Sequence, residues 1–191
     1  MPPLRTIHQI ISSLDFLEYS TCKRNLAYQI QYLEFKINIL RSGNIYGAVR
    51  ACLMRELVIT ITNIMEYLLF ISLRTIYGDD PRPNEFPHLV GQAKSNNLIS
   101  KELAKDLIKI DKLRNKLHPS QQNKELDINS FTKGEVYSAL KNLNLLEQEL
   151  GESFSRRNIR VEIEEETCPY EGYSQVLFPN FHCPYCGECH I

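Results

Sequence analysis

Hydrophobic positions recur at steps of three and four through most of the first 150 residues, which is the spacing typical of amphipathic helices. The first such stretch follows an irregular lead-in over residues 1–12. It is predicted to be a helix over about 13–41, with a capping box from Ser12 to Asp15. The run Ser42-Gly43-Asn44 then favours a helix end, because glycine readily adopts the left-handed conformation found there.

A second helix is predicted over about 46–77, and it is apolar nearly all round. That pattern is typical of the central helix of a bundle. One stripe is polar, with members at steps of four, three and four: Glu56, Thr60, Asn63 and Tyr67. We interpret this stripe as the helix's single solvent-facing side; the alternative is that it forms the wall of a polar cleft.

A turn-rich connection over 78–84 leads to a short helix that begins near Phe86 and is broken at Asn96-Asn97. Ser100 is a favourable N-cap for the next helix. Pro119 disfavours helical geometry in the residue before it, so that helix is expected to stop at His118.

The last helix is predicted to open at a capping box, Thr132 to Glu135, and to run through Leu150 until Gly151 stops it. The chain therefore predicts an antiparallel helical bundle, and the fold class is mainly α.

The most apolar run, Leu57 to Leu73, contains Asn63 and Glu66, and this favours a buried helix over a membrane span. The 191 residues carry a net charge of −1, which gives no global attraction to nucleic acid. No secretory signal is visible at the N-terminus. The six cysteines are therefore expected in a reducing, cytoplasmic compartment; Cys22 and Cys52, which fall within helices, are interpreted as inert core thiols.

Candidate chemistry centres on the run Leu113-Arg114-Asn115-Lys116-Leu117-His118-Pro119. At about 100° per residue, Arg114 falls within the apolar stripe of its helix, and His118 lies beside it, four residues on. A charge on a dry face needs a partner. If no acid of the same chain supplies one, a second protomer should cover Arg114; alternatively, Arg114 pairs internally and His118 caps the helix.

The segment around this pair is basic, since residues 94–124 carry eight Lys or Arg and three acidic residues. This balance suits an anionic ligand such as a phosphodiester backbone, although an ordinary solvated helix face would look the same.

The pattern changes at about residue 155. Ile159, Val161 and Ile163 alternate with charged residues, which predicts a strand. Cys168-Pro169-Tyr170-Glu171-Gly172 is then echoed by Cys183-Pro184-Tyr185-Cys186-Gly187. Such turns present thiolates in zinc knuckles, and two knuckles joined by a strand form a zinc ribbon. We therefore expect a helical bundle over 1–153 and a small β zinc-ribbon-like module over 154–191.

The first knuckle carries Glu171 in place of a second thiolate, which leaves three well-motivated zinc ligands: Cys168, Cys183 and Cys186. Cys189 is the first candidate for the fourth ligand because thiolates suit zinc best, and His182, His190 and Glu171 remain alternatives. An iron–sulfur cluster on the same cysteines, or a ribbon that has lost its metal, would fit the spacing less simply.

The chain over about 10–150 resembles the HEPN superfamily of helical bundles. The resemblance lies in Leu89-Val90-Gly91-Gln92-Ala93-Lys94, in Leu98-Ile99-Ser100, in the run Leu113 to Pro119 and in the capped final helix. It implies a homodimeric, metal-independent endoribonuclease, as found in toxin–antitoxin and antiviral defence systems. Arg114 would then hold the scissile phosphate, His118 would move a proton, and Asn115 would be the polar residue that follows the arginine.

This sequence departs from the family motif in one respect, because three residues separate Arg114 from His118 where four to six are usual. Two hypotheses therefore stand. The first is an RNA-cleaving homodimer whose zinc ribbon recruits the substrate or a partner such as an antitoxin. The second is a non-catalytic adaptor in which the bundle and the ribbon bind protein or nucleic acid.

The zinc hypothesis predicts about one zinc per chain by elemental analysis of the purified protein. Cys183→Ser should release the metal and loosen only the C-terminal part, because removing one thiolate opens the tetrahedral site. Cys52→Ser is the matched control and should retain the zinc. A wild-type protein that is metal-free and has an ordered C-terminal part would contradict the prediction.

Overall fold

The computed structural model describes residues 3–17, 21–115 and 131–159. Within these ranges the protein is mainly α, as predicted, with six helices and no strand. The helices are α1 (Ile7–Ser13), α2 (Thr21–Arg41), α3 (Gly47–Tyr77), α4 (Phe86–Ser95), α5 (Lys101–Asn115) and α6 (Lys133–Arg156). The β module and nearly all of the predicted strand over 159–163 lie outside the described residues.

Helix α3 is the centre of the bundle and contacts α2, α4, α5 and α6. Its apolar residues are buried on most sides, including Leu57, Val58, Ile61, Ile64, Met65, Leu68 and Leu69. By length and hydropathy α3 also resembles a membrane span, but 67% of its most apolar window is buried inside the bundle. Burial of this kind is what a core helix requires, and it agrees with the interpretation of the Leu57–Leu73 run.

The N-terminal part differs from the sequence prediction. Residues 1–12 were expected to be irregular, but α1 begins at Ile7, and its capping box joins Thr6 to Gln9 rather than Ser12 to Asp15. The predicted helix over 13–41 is also interrupted, because residues 14–17 form a turn in which Leu17 N–H donates to the Leu14 carbonyl. The buried side chains of α1 and this turn, Ile7, Ile10, Leu14 and Leu17, recur at helical spacing but over too short a span to stand out.

The end of α6 also differs, because the helix passes through Gly151 and ends at Arg156. Gly151 has no positive φ, so it does not serve as a left-handed helix stop. The stripe of buried side chains continues beyond it with Ser153 and Phe154. A Cβ at Gly151 would lie 3.6 Å from the Phe16 ring, so the glycine sits where α6 meets the turn after α1. The proposed domain boundary at residue 153 therefore falls inside a helix.

Three other predicted helix termini are confirmed, whereas the predicted stop of α5 at His118 lies outside the described residues. Helix α2 ends at Arg41 and is followed by Gly43 with a φ of 77°. Ser100 caps α5, because its hydroxyl accepts the N–H of Leu103 at 3.1 Å. Thr132 and Glu135 form the predicted reciprocal capping box at the start of α6. These signals are local, so the sequence alone was sufficient to find them.

A buried lysine joins α2 to α3. The ammonium of Lys36 donates to the Thr60 hydroxyl at 2.8 Å and lies 3.7 Å from a Glu56 carboxylate oxygen. It also lies 4.2 Å from the centre of the Tyr32 ring. Three partners thus compensate a charged group that is only 5% exposed.

A second partly buried charge, Glu147 on α6, makes stability depend on pH. Burial raises the pKa of Glu147; Arg5 opposes this rise and Glu34 adds to it. Arg5 itself is held by Glu34, with its Nε 2.5 Å from Oε1. Folding therefore favours the protonated form of Glu147 more than the unfolded chain does.

Because the pKa of Glu147 is higher in the folded than in the unfolded chain, stability should fall as pH rises through the interval above the unfolded value of about 4.3. Glu147→Gln should remove this loss, so it should raise the urea midpoint at pH 7 and leave it little changed at pH 4. Glu152→Gln, an exposed substitution further along α6, is the control and should leave the urea midpoint little changed at both pH values. A Glu147→Gln protein with the wild-type pH profile would contradict the assignment.

Candidate functional site

Arg114 lies in the last turn of α5 and borders a cleft of about 430 Å³ between α2, α3, α5 and the start of α4. The lining side chains, which define the Arg114 cleft, are Cys22, Gln29, Asn63, Glu66, Tyr67, Phe70, Asn84, Leu89 and Arg114. The volume is within the range of about 300–1,000 Å³ usual for small-ligand sites. Helix α5 places Arg114 here because Leu103, Leu107 and Ile110, on the same stripe, are buried in the core.

Arg114 is paired with an acid of its own chain. Its Nη1 donates to Oε2 of Glu66 at 2.7 Å, and the two side chains are 36% and 31% exposed. The face is therefore neither dry nor uncompensated, and a partner surface is not needed to neutralise the charge. A guanidinium has five N–H donors, so a single bond to Glu66 leaves others for a ligand.

Three carboxamides line the same cleft: Gln29 on α2, Asn63 on α3 and Asn84 before α4. Among residues 3–17, 21–115 and 131–159 their side chains make no hydrogen bond to protein atoms, in contrast to Gln92, whose amide donates to the Arg82 carbonyl. Each carboxamide offers one acceptor and two N–H donors. The cleft thus combines one ion pair with several uncommitted neutral hydrogen-bonding groups.

The polar stripe of α3 divides in two. Asn63 and Tyr67 line the cleft, whereas Thr60 and Glu56 engage Lys36 of α2. For Asn63 and Tyr67, the cleft-wall interpretation is therefore correct, and the prediction of a simple solvent-facing side is wrong. The physical reason is that α2 and α5 flank this side of α3 closely enough to form walls.

The neighbouring candidate Asn115 does not line the cleft. Its side-chain amide donates to Asp111 on its own helix at 3.1 Å. His118 lies outside the described residues, as do Cys168, Cys183, Cys186, Cys189 and the alternative ligands Glu171, His182 and His190. Their roles remain predictions.

The exposed lysines of the basic segment lie away from Arg114. Lys101, Lys105, Lys109 and Lys112 are exposed, and at roughly 100° per residue they occupy the side of α5 opposite Arg114. None of them lines the cleft. For these four residues the structure agrees with the ordinary solvated face, and Arg114 is the cation that borders the cleft within the described chain.

The cysteines inside the bundle also differ from expectation. Cys52 is exposed rather than a core thiol, and Cys22 is half-buried at the cleft wall. Within the described ranges no group of three His, Cys, Asp or Glu side chains is placed to hold a metal ion. All the predicted zinc ligands, with the alternatives for the fourth, lie outside these ranges.

Sequence reasoning missed Glu66, Gln29 and Asn84 as site residues. Glu66 carried a usable signal, because a lone acid within an apolar central helix needs a cationic partner. The two amides carried none, since nothing local places them beside Arg114.

Comparison of the chain with protein-family models, curated proteins and solved structures gives no match.

The Glu66–Arg114 pair should be measurable in a double-mutant cycle of Glu66→Gln and Arg114→Gln. For a half-exposed pair we expect a coupling free energy of about 0.5–1 kcal/mol in urea unfolding, because solvent screens part of the attraction. The pair Lys109–Asp106, 2.6 Å apart but more exposed, is the control and should couple more weakly. Zero coupling for Glu66–Arg114 would mean that the ion pair does not stabilise the fold.

Proposed function

We propose that this protein is a metal-independent endoribonuclease of the HEPN type that acts on RNA as a homodimer and serves as a defence or toxin effector. One observation carries the proposal: Arg114, the residue that the motif marks as phosphate-binding, borders a cleft with its guanidinium oriented by Glu66 and only partly occupied. An oriented and accessible arginine is suited to a phosphodiester, because its planar fork can grip two oxygens.

Cleavage by internal attack needs a base for the 2′-hydroxyl, an acid for the leaving 5′-oxygen and positive charge on the phosphate. Arg114 would supply the charge. His118, with an unperturbed pKa of about 6.5, can fill either proton role. Two protomers would supply two histidines, one for each role, and Asn115 would support the site from its hydrogen bond to Asp111.

Homodimer formation enters this proposal through the family resemblance. Arg114 itself does not require a second protomer, because Glu66 compensates its charge. In the same proposal the C-terminal cysteines hold a structural Zn²⁺, and the ribbon recruits RNA or an antitoxin-like partner.

The Glu66–Arg114 pair also favours a second candidate, a non-catalytic HEPN and zinc-ribbon adaptor that binds protein or nucleic acid. An arginine neutralised within its own chain has a sufficient structural role in joining α5 to α3. On this alternative the site would hold the bundle together rather than process RNA.

The two candidates differ in a cleavage assay with purified full-length protein, mixed RNA and EDTA. The nuclease should produce fragments with a 2′,3′-cyclic phosphate or 3′-phosphate and should leave DNA intact, because DNA has no 2′-hydroxyl. Arg114→Ala and His118→Ala should each lower the rate by roughly 10²-fold or more. Lys112→Ala removes an exposed lysine from the opposite side of α5 and should leave the rate unchanged.

The adaptor predicts the reverse: no cleavage by the wild-type protein, and a folding or assembly defect in Arg114→Ala. Equal cleavage by His118→Ala would assign the activity to a contaminant or another site. Circular dichroism of each variant separates lost chemistry from lost folding.

A further inference from the structure

We propose that the Arg114 cleft is a nucleobase pocket, in which one unstacked base is bound beside the phosphate that Arg114 holds. If the bound base is part of an RNA strand, this inference rests on the proposed function, because the base would belong to the cleaved strand. Base recognition itself does not require that RNA is cut, and it can be tested separately.

The polar groups of the cleft support a neutral ligand. Apart from the Glu66–Arg114 pair, which is compensated, the polar lining consists chiefly of the carboxamides of Gln29, Asn63 and Asn84. Amides recognise the donor and acceptor pattern at the edge of a base, and asparagine and glutamine are the residues that bond adenine in two places. Several phosphates would require more cations than Arg114, the one that borders this cleft among the residues the structure describes.

The uncommitted state of these amides is a second, independent observation. In the part of the chain that the structure describes, Gln29, Asn63 and Asn84 have no protein partner, although Gln29 and Asn63 are partly buried. Their amide atoms are open to solvent in the cleft, so water can occupy the positions that a ligand would take. A ligand edge would satisfy several of them at once.

The apolar lining suits a flat ring. Tyr67 and Phe70 are half-buried on α3, and Leu89 is buried at the other wall. Bases of single-stranded RNA are typically held by aromatic stacking combined with hydrogen bonds to their edges. The cleft brings both kinds of group to one place, with Arg114 at its border for the attached phosphate.

The test uses full-length protein and the four nucleoside 3′-monophosphates, measured by calorimetry up to millimolar concentration. One base should bind at least tenfold more tightly than the weakest, because a site that hydrogen-bonds one edge leaves its own groups unpaired with another. Asn63→Asp replaces the amide donors by an acceptor and should reduce that selectivity to near unity. Asn25→Asp, an exposed change on α2 outside the cleft, should preserve it.

Two further variants keep the test decisive if Asn63→Asp fails to fold. Gln29→Glu removes the amide N–H donors that α2 contributes to the cleft. Tyr67→Leu removes the aromatic face while keeping an apolar side chain. Loss of stacking should weaken binding about tenfold. Equal binding of the four nucleotides, no binding, or selectivity that survives the cleft variants would overturn the nucleobase pocket.

Cleavage mapping on single-stranded RNA separates this inference from the proposed function. Cleavage next to the base preferred by calorimetry supports both and identifies RNA as the source of the base. Selective nucleotide binding without cleavage supports the pocket for a free nucleotide and refutes the nuclease. Cleavage without base preference, with non-selective nucleotide binding, supports the nuclease and refutes the pocket.

Discussion

The burial of α3 constrains where charged groups of this bundle can lie. Where α2, α4, α5 and α6 pack around the middle of α3, little of its surface is free, and two of its carboxylates lie beside cations of neighbouring helices. Glu66 meets Arg114 of α5, and Glu56 lies near Lys36 of α2. The ion pair that defines the candidate site is therefore also a structural link between two helices.

Arg114 can therefore serve both as a link between α5 and α3 and as a ligand-binding group. An arginine bound through one nitrogen to Glu66 is both a packing element and an oriented donor with remaining capacity. The distinction lies in what happens when the pair is separated. If the pair is structural, breaking it lowers the free energy of unfolding. If Arg114 is functional, it still binds its ligand without Glu66, provided that the protein is folded and the guanidinium donors are available.

The sequence predicted the parts of the fold that local chemistry determines. The starts of α5 and α6 follow from Ser100 and from the Thr132–Glu135 box, and the central position of α3 follows from its apolar surface. It failed at α1 and at the end of α6, where tertiary contact overrode a short or misleading local signal. Gly151 reads as a helix stop until Phe16 is placed against it.

The candidate site, like the fold, could be predicted from the sequence only in part. Arg114 was found because an arginine in an apolar stripe is locally anomalous, but its partner Glu66 lies 48 residues earlier and no periodicity connects the two. Gln29 and Asn84 come from two further elements and meet Arg114 only through the fold. Pairings between distant segments are decided by the packing of whole helices, which a single sequence does not display.

The buried Lys36 has a consequence for helix register. Its ammonium matches the Thr60 hydroxyl and the Glu56 carboxylate of α3 in one alignment of α2 against α3. Sliding α2 by one turn, about 5.4 Å, would carry the ammonium out of hydrogen-bond reach of the Thr60 hydroxyl. Two long helices with largely interchangeable aliphatic contacts are thereby restricted to one alignment, and that alignment sets which residues of α2 face the cleft.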